Sequence, residues 1–313
     1  MSHDTLHYVT RWNVVCFRMS KNLVSASGLD GLFSVIVIAG LNEPRFLSMT
    51  PDLALVDINA LEFNAMTFCL GMKVQQGLVA LADTQIVKGS ERLSKTKITL
   101  VKHGTRPLFI MTSGLRSVRD KTVIYLEEQL NTQGSTYERL YQVANAFGEQ
   151  LRRVWHEDAA ALTQSGLMFN LHAIIGGQLD ADPEPTLFYI YPEGNWIEAA
   201  ADTPYFVIGR TSYSKPILDR FLSIDTKIGV AVGLAYLAFD ATRMSVTDVD
   251  FPLDMLVFDS ARQRFRQHRF TAEMLATTRD WWHQHLRAAL DELPLAWASP
   301  LLRDPSPDEG LVE

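Results

Sequence analysis

A layered α/β sandwich of largely antiparallel sheets is the fold class this sequence predicts, on three observations. Strand-length apolar runs and amphipathic helical runs come in blocks: strands, two helices, strands, two helices, strands, helix. That order suits helices packed on both outer faces of paired sheets. Short glycine-bearing breaks at Gln75-Gln76-Gly77 and Glu193-Gly194-Asn195 separate neighbouring strands and mark hairpins. Finally, Leu140, Val143, Ala144, Phe147, Leu151, Val154 and Trp155 follow the i, i+3, i+4 rule of a helix lying on a sheet.

In chain order, residues 1–66 contain possible strands, such as 33–38, without a sustained helical stripe or a clear hairpin series. Residues 66–73 and 78–84 read as the arms of a hairpin, and 97–101 and 107–112 as two further strands. A helix is expected over 117–130, and Ser135-x-x-Glu138 reads as the capping box that opens a second one. Strands follow at 168–175, 185–191, 196–200 and 204–208. Helices are expected at 215–223, with Pro216 in the first turn where proline is tolerated, and at 227–242, apolar on most sides and so buried. Strands 253–258 and 264–270 and a helix over 271–293, stopped by Pro294, complete the domain. The proline-rich, acidic segment 295–313 reads as a flexible surface tail.

At 313 residues the chain can bury a full core, and its 47% hydrophobic and 21% charged content are those of a globular protein. A net charge of -7 lacks the basic excess of a nucleic-acid footprint, so no nucleic-acid partner is expected. Two cysteines, Cys16 and Cys69, are too few for a disulfide framework and show no zinc spacing, which suits a reducing cytoplasm. The first solid apolar run, residues 32–41, is about half the roughly 20 residues a bilayer needs, and no secretory pattern precedes it; no membrane partner is expected. No metal or cofactor is expected either. His283 and His285 stand i, i+2 on a helix and do not share a face, and no phosphate-binding glycine loop is present. Arg262, Arg264, Arg266 and Arg269 read as a solvated face or subunit contact.

The stretch with chemical content is the first hairpin. If the turn centres on Gln76, antiparallel pairing brings Asp83 back to within about two residues of Thr67, on the order of 7 Å along the strand. Taken alone, the threonine could equally be a good strand residue and the aspartate a strand-ending turn residue. A resemblance weights the choice. Met66-Thr67-x-Cys69-x-Gly71, then Gly77-Leu78-Val79-x-x-x-Asp83-Thr84, then Lys97-Ile98, then Ser113-Gly114-Leu115 resembles the catalytic half of a proteasome β-type subunit. Met66 before Thr67, together with Ile208-Gly209 and Lys215-Pro216-Ile217-Leu218-Asp219-Arg220, is similar to the bacterial Anbu (ancestral β-subunit) branch. The likeness runs from Met66 to about Leu293.

The resemblance implies the four-layer αββα sandwich of N-terminal-nucleophile hydrolases. It implies Thr67 as nucleophile, Asp83 and Lys97 as its charged partners, the Gly114 N–H as oxyanion donor and Asp240 as an acid supporting the terminal amine. Lys95, two residues from Lys97, would replace it after a register error, and Asp240 could instead be an ordinary interhelix aspartate. Gln85 stands where the family commonly has an arginine. The serine-rich turn is represented by Gly209-Arg210-Thr211-Ser212, so the hydroxyl near the amine is open between candidates such as Thr211 and Thr242. Pocket positions are Ile86, Thr112 and Arg116, the last selecting an acidic substrate side chain or simply facing solvent.

A threonine hydroxyl needs a base, and a terminal α-amine, with a reference pKa of about 7.7–8.0, can serve. Thr67 must then begin the working chain. Met66 directly before it fits removal of an initiator methionine, whereas self-processing relatives usually carry glycine there. Residues 1–66 are therefore expected to be absent from the working protein, as a misplaced start or removed propeptide, leaving a 67–294 domain and the 295–313 tail. The implied function is a threonine-type peptidase or amide hydrolase. Its implied partners are further copies of itself, as a ring or helical stack, a peptide or amide substrate, and an unfoldase or accessory protein of unknown identity. The alternatives are a catalytically silent proteasome-like scaffold and an amidase for a small molecule or peptide conjugate.

Overall fold

Burial on both faces, rather than alternation, marks the central strands of this fold. The computed structural model describes residues 67–88, 91–103, 106–133 and 137–302, together with the backbone strands β1 (Val14–Arg18), β2 (Ser34–Ala39), β3 (Pro44–Ser48) and β4 (Leu55–Val56). Those four pair in sequence order as an antiparallel meander, a hairpin series that hydrophobic patterning did not anticipate.

Strands β5 (Phe68–Val74) and β6 (Gly77–Asp83) are buried at every residue and pair about the turn Gln75-Gln76, from Cys69↔Ala82 to Val74↔Gly77. Next come β7 (Gln85–Lys88), β8 (Glu91–Ser94), β9 (Ile98–His103) and β10 (Arg106–Gly114). Helices α1 (Arg116–Gln133) and α2 (Leu140–Gln164) precede β11 (Leu171–Gly177), β12 (Thr186–Ile190), β13 (Trp196–Glu198) and β14 (Tyr205–Gly209). Helices α3 (Lys215–Phe221) and α4 (Ile228–Arg243), strands β15 (Leu253–Asp259) and β16 (Arg264–Phe270), and helix α5 (Ala276–Asp291) follow.

The sheets run β13-β12-β11-β10-β9 and β14-β5-β6-β15-β16, with antiparallel neighbours throughout. Three apolar layers bind four structural ones. Cys69, Leu78, Ala80 and Ala82 of the second sheet face Phe109, Met111, Ile174 and Leu187 of the first. Outside the first sheet, Leu140, Val143, Phe147 and Leu151 of α2 and Leu126 of α1 pack on Ile110, Ala173 and Phe188. Outside the second, Ala231, Ala235 and Phe239 of α4 and Leu218 of α3 pack on Phe68, Leu70, Met72 and Leu81. The result is the expected αββα sandwich. It explains the hairpin's lack of polar alternation, because a central strand covered by a helix on one face and a sheet on the other has no solvent side.

Several local expectations need correction. Helix α2 starts at Leu140, not at Ser135, which lies outside the described residues: the Gln142 side chain accepts from the Glu138 and Arg139 N–H groups (2.9 Å each), and Asp182 accepts from Leu140 N. Trp155 ends the apolar stripe but is exposed. Helix α4 keeps one open side, at Gly229, Val230 and Gly233. The last helix is shorter than 271–293 and has no buried residue. Residues 296–302 of the expected tail form a 3-10 turn and a short helix, while 303–313 lie outside the described residues. Among the described residues no helix is long and apolar enough to cross a membrane.

Phe109 sits in the inter-sheet layer, fully buried, its ring edge-on to Phe265 at 6.1 Å. Phe109→Ala is expected to lower stability by about 3–5 kcal/mol, read as a lower urea midpoint with an unchanged m-value.

Candidate active site

The two sheets come together where β6 finishes, β9 begins and the chain enters β5. One step past the Cys69↔Ala82 rung, Asp83 stands opposite Phe68, one residue from Thr67, slightly closer than the turn-counting estimate. Thr67, Asp83 and Lys97 are all buried there. Lys97 Nζ donates to Thr67 Oγ1 at 2.5 Å and to Asp83 Oδ1 at 2.7 Å. Thr67 Oγ1 donates to the same Asp83 oxygen at 3.2 Å. Two backbone donors complete the carboxylate's shell: Phe68 N to Oδ1 at 2.7 Å and Gln85 N to Oδ2 at 3.1 Å.

Burial pushes the Asp83 carboxyl above the usual carboxylate range, against the opposing pull of the Lys97 charge and the hydrogen bonds. Cys69 Sγ lies 4.0 Å from the threonine oxygen, but burial drives its thiol up to about 12, so it stays protonated and unreactive at neutral pH. The Thr67 hydroxyl, unlike the thiol, accepts a hydrogen bond directly from the Lys97 ammonium.

The Thr67 backbone is held from the sheet edge. Arg210 N donates to Thr67 O at 3.0 Å, and Gly209, at φ 90°, leaves room for that carbonyl: a Cβ there would sit 1.9 Å from it. Gly114 closes β10 at φ 134°, where a Cβ would meet Asn170 O at 2.2 Å. It lies three residues beyond the Met111↔Ile98 rung, at the Lys97 end of the sheet. Thr112, one step past that rung, stands level with Lys97. Lys95 belongs to the support: its N–H binds Thr84 O at 2.8 Å.

Other expected site residues go elsewhere. Asp240 is buried, but its carboxylate is taken by Arg243 at 2.8 Å and faces His283 of α5 at 3.8 Å; it makes no hydrogen bond with Thr67. Its place on the outer layer follows from helix periodicity, which turns it from the face that Phe239 presents to Phe68 (6.2 Å). Thr242 back-bonds to Ala238 O within α4, and the Thr211 carbonyl accepts from Ser214 Oγ at the start of α3. Arg116 faces solvent and pairs with Asp120. Ile86 has backbone pairing with Leu93, and its side chain lies outside the described residues.

Asp248 was missed by sequence reasoning. Arg210 Nε donates to its Oδ2 at 3.1 Å, while Oδ1 is buried with no hydrogen-bond partner among the described residues. The segment behind it also touches the site: Phe251 O accepts from Gln85 Nε2, and Pro252 O from Thr84 N. The available signal was an aspartate in the loop between a buried helix and the strand that pairs with the Asp83 strand.

A proteasome subunit family model matches residues 64–250. The chain belongs to the proteasome subunit family. Its structural relatives place it in the Anbu (ancestral beta-subunit) branch. Anbu from Yersinia bercovieri is 30% identical, with a TM-score of 0.66, covering 73% of this chain and 98% of its own. Anbu from Hyphomicrobium sp. strain MC1 is 31% identical over 72% of this chain and 98% of its own, with a TM-score of 0.65. A helical assembly of the Anbu complex from Pseudomonas aeruginosa gives 27% identity, 78% and 100% coverage and a TM-score of 0.67. No curated protein matches the sequence.

In this Anbu-type subunit, Lys97→Met would leave the Asp83 carboxylate buried without its cation, an expected loss of about 3–5 kcal/mol at neutral pH. Burial alone would then hold the folded carboxyl still further above its unfolded value. Such a group stabilises the fold fully below its unfolded pKa and loses that contribution as pH rises through its folded pKa. The deficit of the variant should therefore shrink on acidification, when Asp83 takes up a proton. Denaturation of both proteins across the acid range reads it.

Proposed function

We propose that this protein is a threonine-type amide hydrolase of the proteasome kind, with Thr67 as the nucleophile at the start of the working chain. The observation that carries this reading is the shared lysine: one ammonium, 2.5 Å from the threonine hydroxyl and 2.7 Å from a buried carboxylate. The cation lowers the cost of forming an alkoxide, and Asp83 keeps the cation in place. With residues 1–66 gone, the α-amine of Thr67 takes the hydroxyl proton as Oγ1 bonds to the substrate carbonyl carbon. The Gly114 N–H supports the oxyanion. The amine then returns the proton to the leaving nitrogen as the C–N bond breaks, and water releases the acyl group from the ester. In this reading Asp248 takes the supporting role given above to Asp240: its Oδ2 accepts from the Arg210 side chain, Arg210 N bonds the Thr67 carbonyl, and its Oδ1 has no partner among the described residues.

The boundaries of the working chain rest on the same reading. The family match begins at residue 64, and the Anbu structures are covered almost end to end by about three quarters of this chain. The protein works in the cytoplasm as an assembly of identical subunits. Self-assembly is supported by the helical form of the Pseudomonas aeruginosa relative and by α5, a helix with no buried residue that exposes Trp281, Leu286 and Leu290. Peptides are the substrate class, and an unfoldase or accessory protein would deliver folded ones.

Protein purified from its native host should have an intact mass beginning at Thr67 and react covalently with an electrophile selective for N-terminal threonine. Thr67→Ala should not react. A mature chain still beginning at Met1 would overturn the mechanism, and an assembled particle beginning at Thr67 but inert would mark the fold as a scaffold. Leu290→Glu, placed on the exposed α5 face, should lower the native mass to smaller species without changing the far-ultraviolet circular dichroism.

A further inference from the structure

Residues 95–97, which carry the lysine into the site, have no regular secondary structure, so the Lys97 ammonium is only as well placed as the tethers on this short segment. One tether is the Lys95 N–H to Thr84 O bond, next to Asp83. The other comes from the opposite sheet. Arg269, on the edge strand β16, grips Asp254 with Nε to Oδ1 at 2.7 Å and Nη2 to Oδ2 at 2.8 Å, and the same Nη2 donates to Thr96 Oγ1 at 2.7 Å. Asp254 is 2% exposed, pairs in register with Ala82, and shares its strand face with Leu256 and Phe258 of the inter-sheet layer. The fork therefore starts from a buried, rigid carboxylate and ends on the residue before Lys97, joining the free edges of both sheets, β16 and β9.

We infer that Asp254 and Arg269 are positioning residues for Lys97, acting through the Thr96 hydroxyl. A bidentate guanidinium–carboxylate pair fixes direction as well as distance. With both Asp254 oxygens occupied, the lysine is left to Asp83. A displacement of the ammonium by a fraction of an ångström would separate it from one of its two acceptors, and misplacements of that order are costly in reaction rate. The inference rests on the threonine-hydrolase reading for its effect on reaction, but its geometric content is independent of that reading.

Thr96→Val keeps the branched shape, leaves the Asp254–Arg269 pair intact and removes only the acceptor; Thr96→Ser restores it. Trace acetylation of the full chain with acetic anhydride, quantified at Lys97 by mass spectrometry against Lys215, reports how freely the ammonium leaves its site. Thr67 labelling is followed in parallel on protein from the native host. In Thr96→Val, Lys97 acetylation should rise about fivefold or more and Thr67 labelling should slow by about tenfold, with Thr96→Ser close to wild type. Lys97 reactivity within twofold of wild type would overturn the inference, as would a changed Lys97 with unchanged Thr67 labelling. A responsive Lys97 in a protein whose wild-type Thr67 never labels would uphold the brace and remove the hydrolase reading instead.

Discussion

Everything at this end of the sandwich depends on one buried ion pair, Lys97 with Asp83. Removing both charges from water is expensive, and the pair persists because each partner is almost fully satisfied: the carboxylate has four donors and the ammonium two acceptors. One of those acceptors is the Thr67 hydroxyl. The Thr67 hydroxyl is thus a structural member of the pair's shell, which ties the geometry of the site to the integrity of the core beneath it.

That core explains why so apolar a hairpin gathers its polar groups at one end. Helix α4 covers one face of β5 and β6 and the other sheet covers the second, so the only exit for a polar side chain is the strand end. Thr67 and Asp83 occupy that end. Low local polarity strengthens their mutual electrostatics, and the same seclusion silences the nearby thiol of Cys69.

The layered fold was legible because it rests on periodicity and block order, which tertiary context modifies little: the α2 stripe and the strand–helix sequence appear in the structure nearly where patterning puts them. The Thr67–Asp83 approach was legible from turn counting alone. Lys97 came only from resemblance, since it sits on the irregular segment that leads into the other sheet and no local pattern links it to the hairpin. Asp240 and Asp248 show the limit. Both are aspartates near the end of one helix, and which of them turns toward Arg210 is decided by a loop path that has no sequence period. The α2 start failed for a related reason: Gln142 and Asp182, the latter 42 residues from Leu140, supply the acceptors that a local capping motif was expected to provide.

The grip on the Thr67–Phe68 peptide has a mechanical meaning. Its carbonyl is bonded to Arg210 N and its N–H to Asp83, and the absent side chain of Gly209 lets the edge strand press against it. With that plane clamped at both ends, the Cα of Thr67 cannot wander even when nothing precedes it. Rotation about the Cα–C bond is the one backbone freedom left, and it swings the amine and the side chain as a single lever. Thr67 behaves as a crank on a fixed axle, its backbone nitrogen and its Cβ turning together about the clamped peptide.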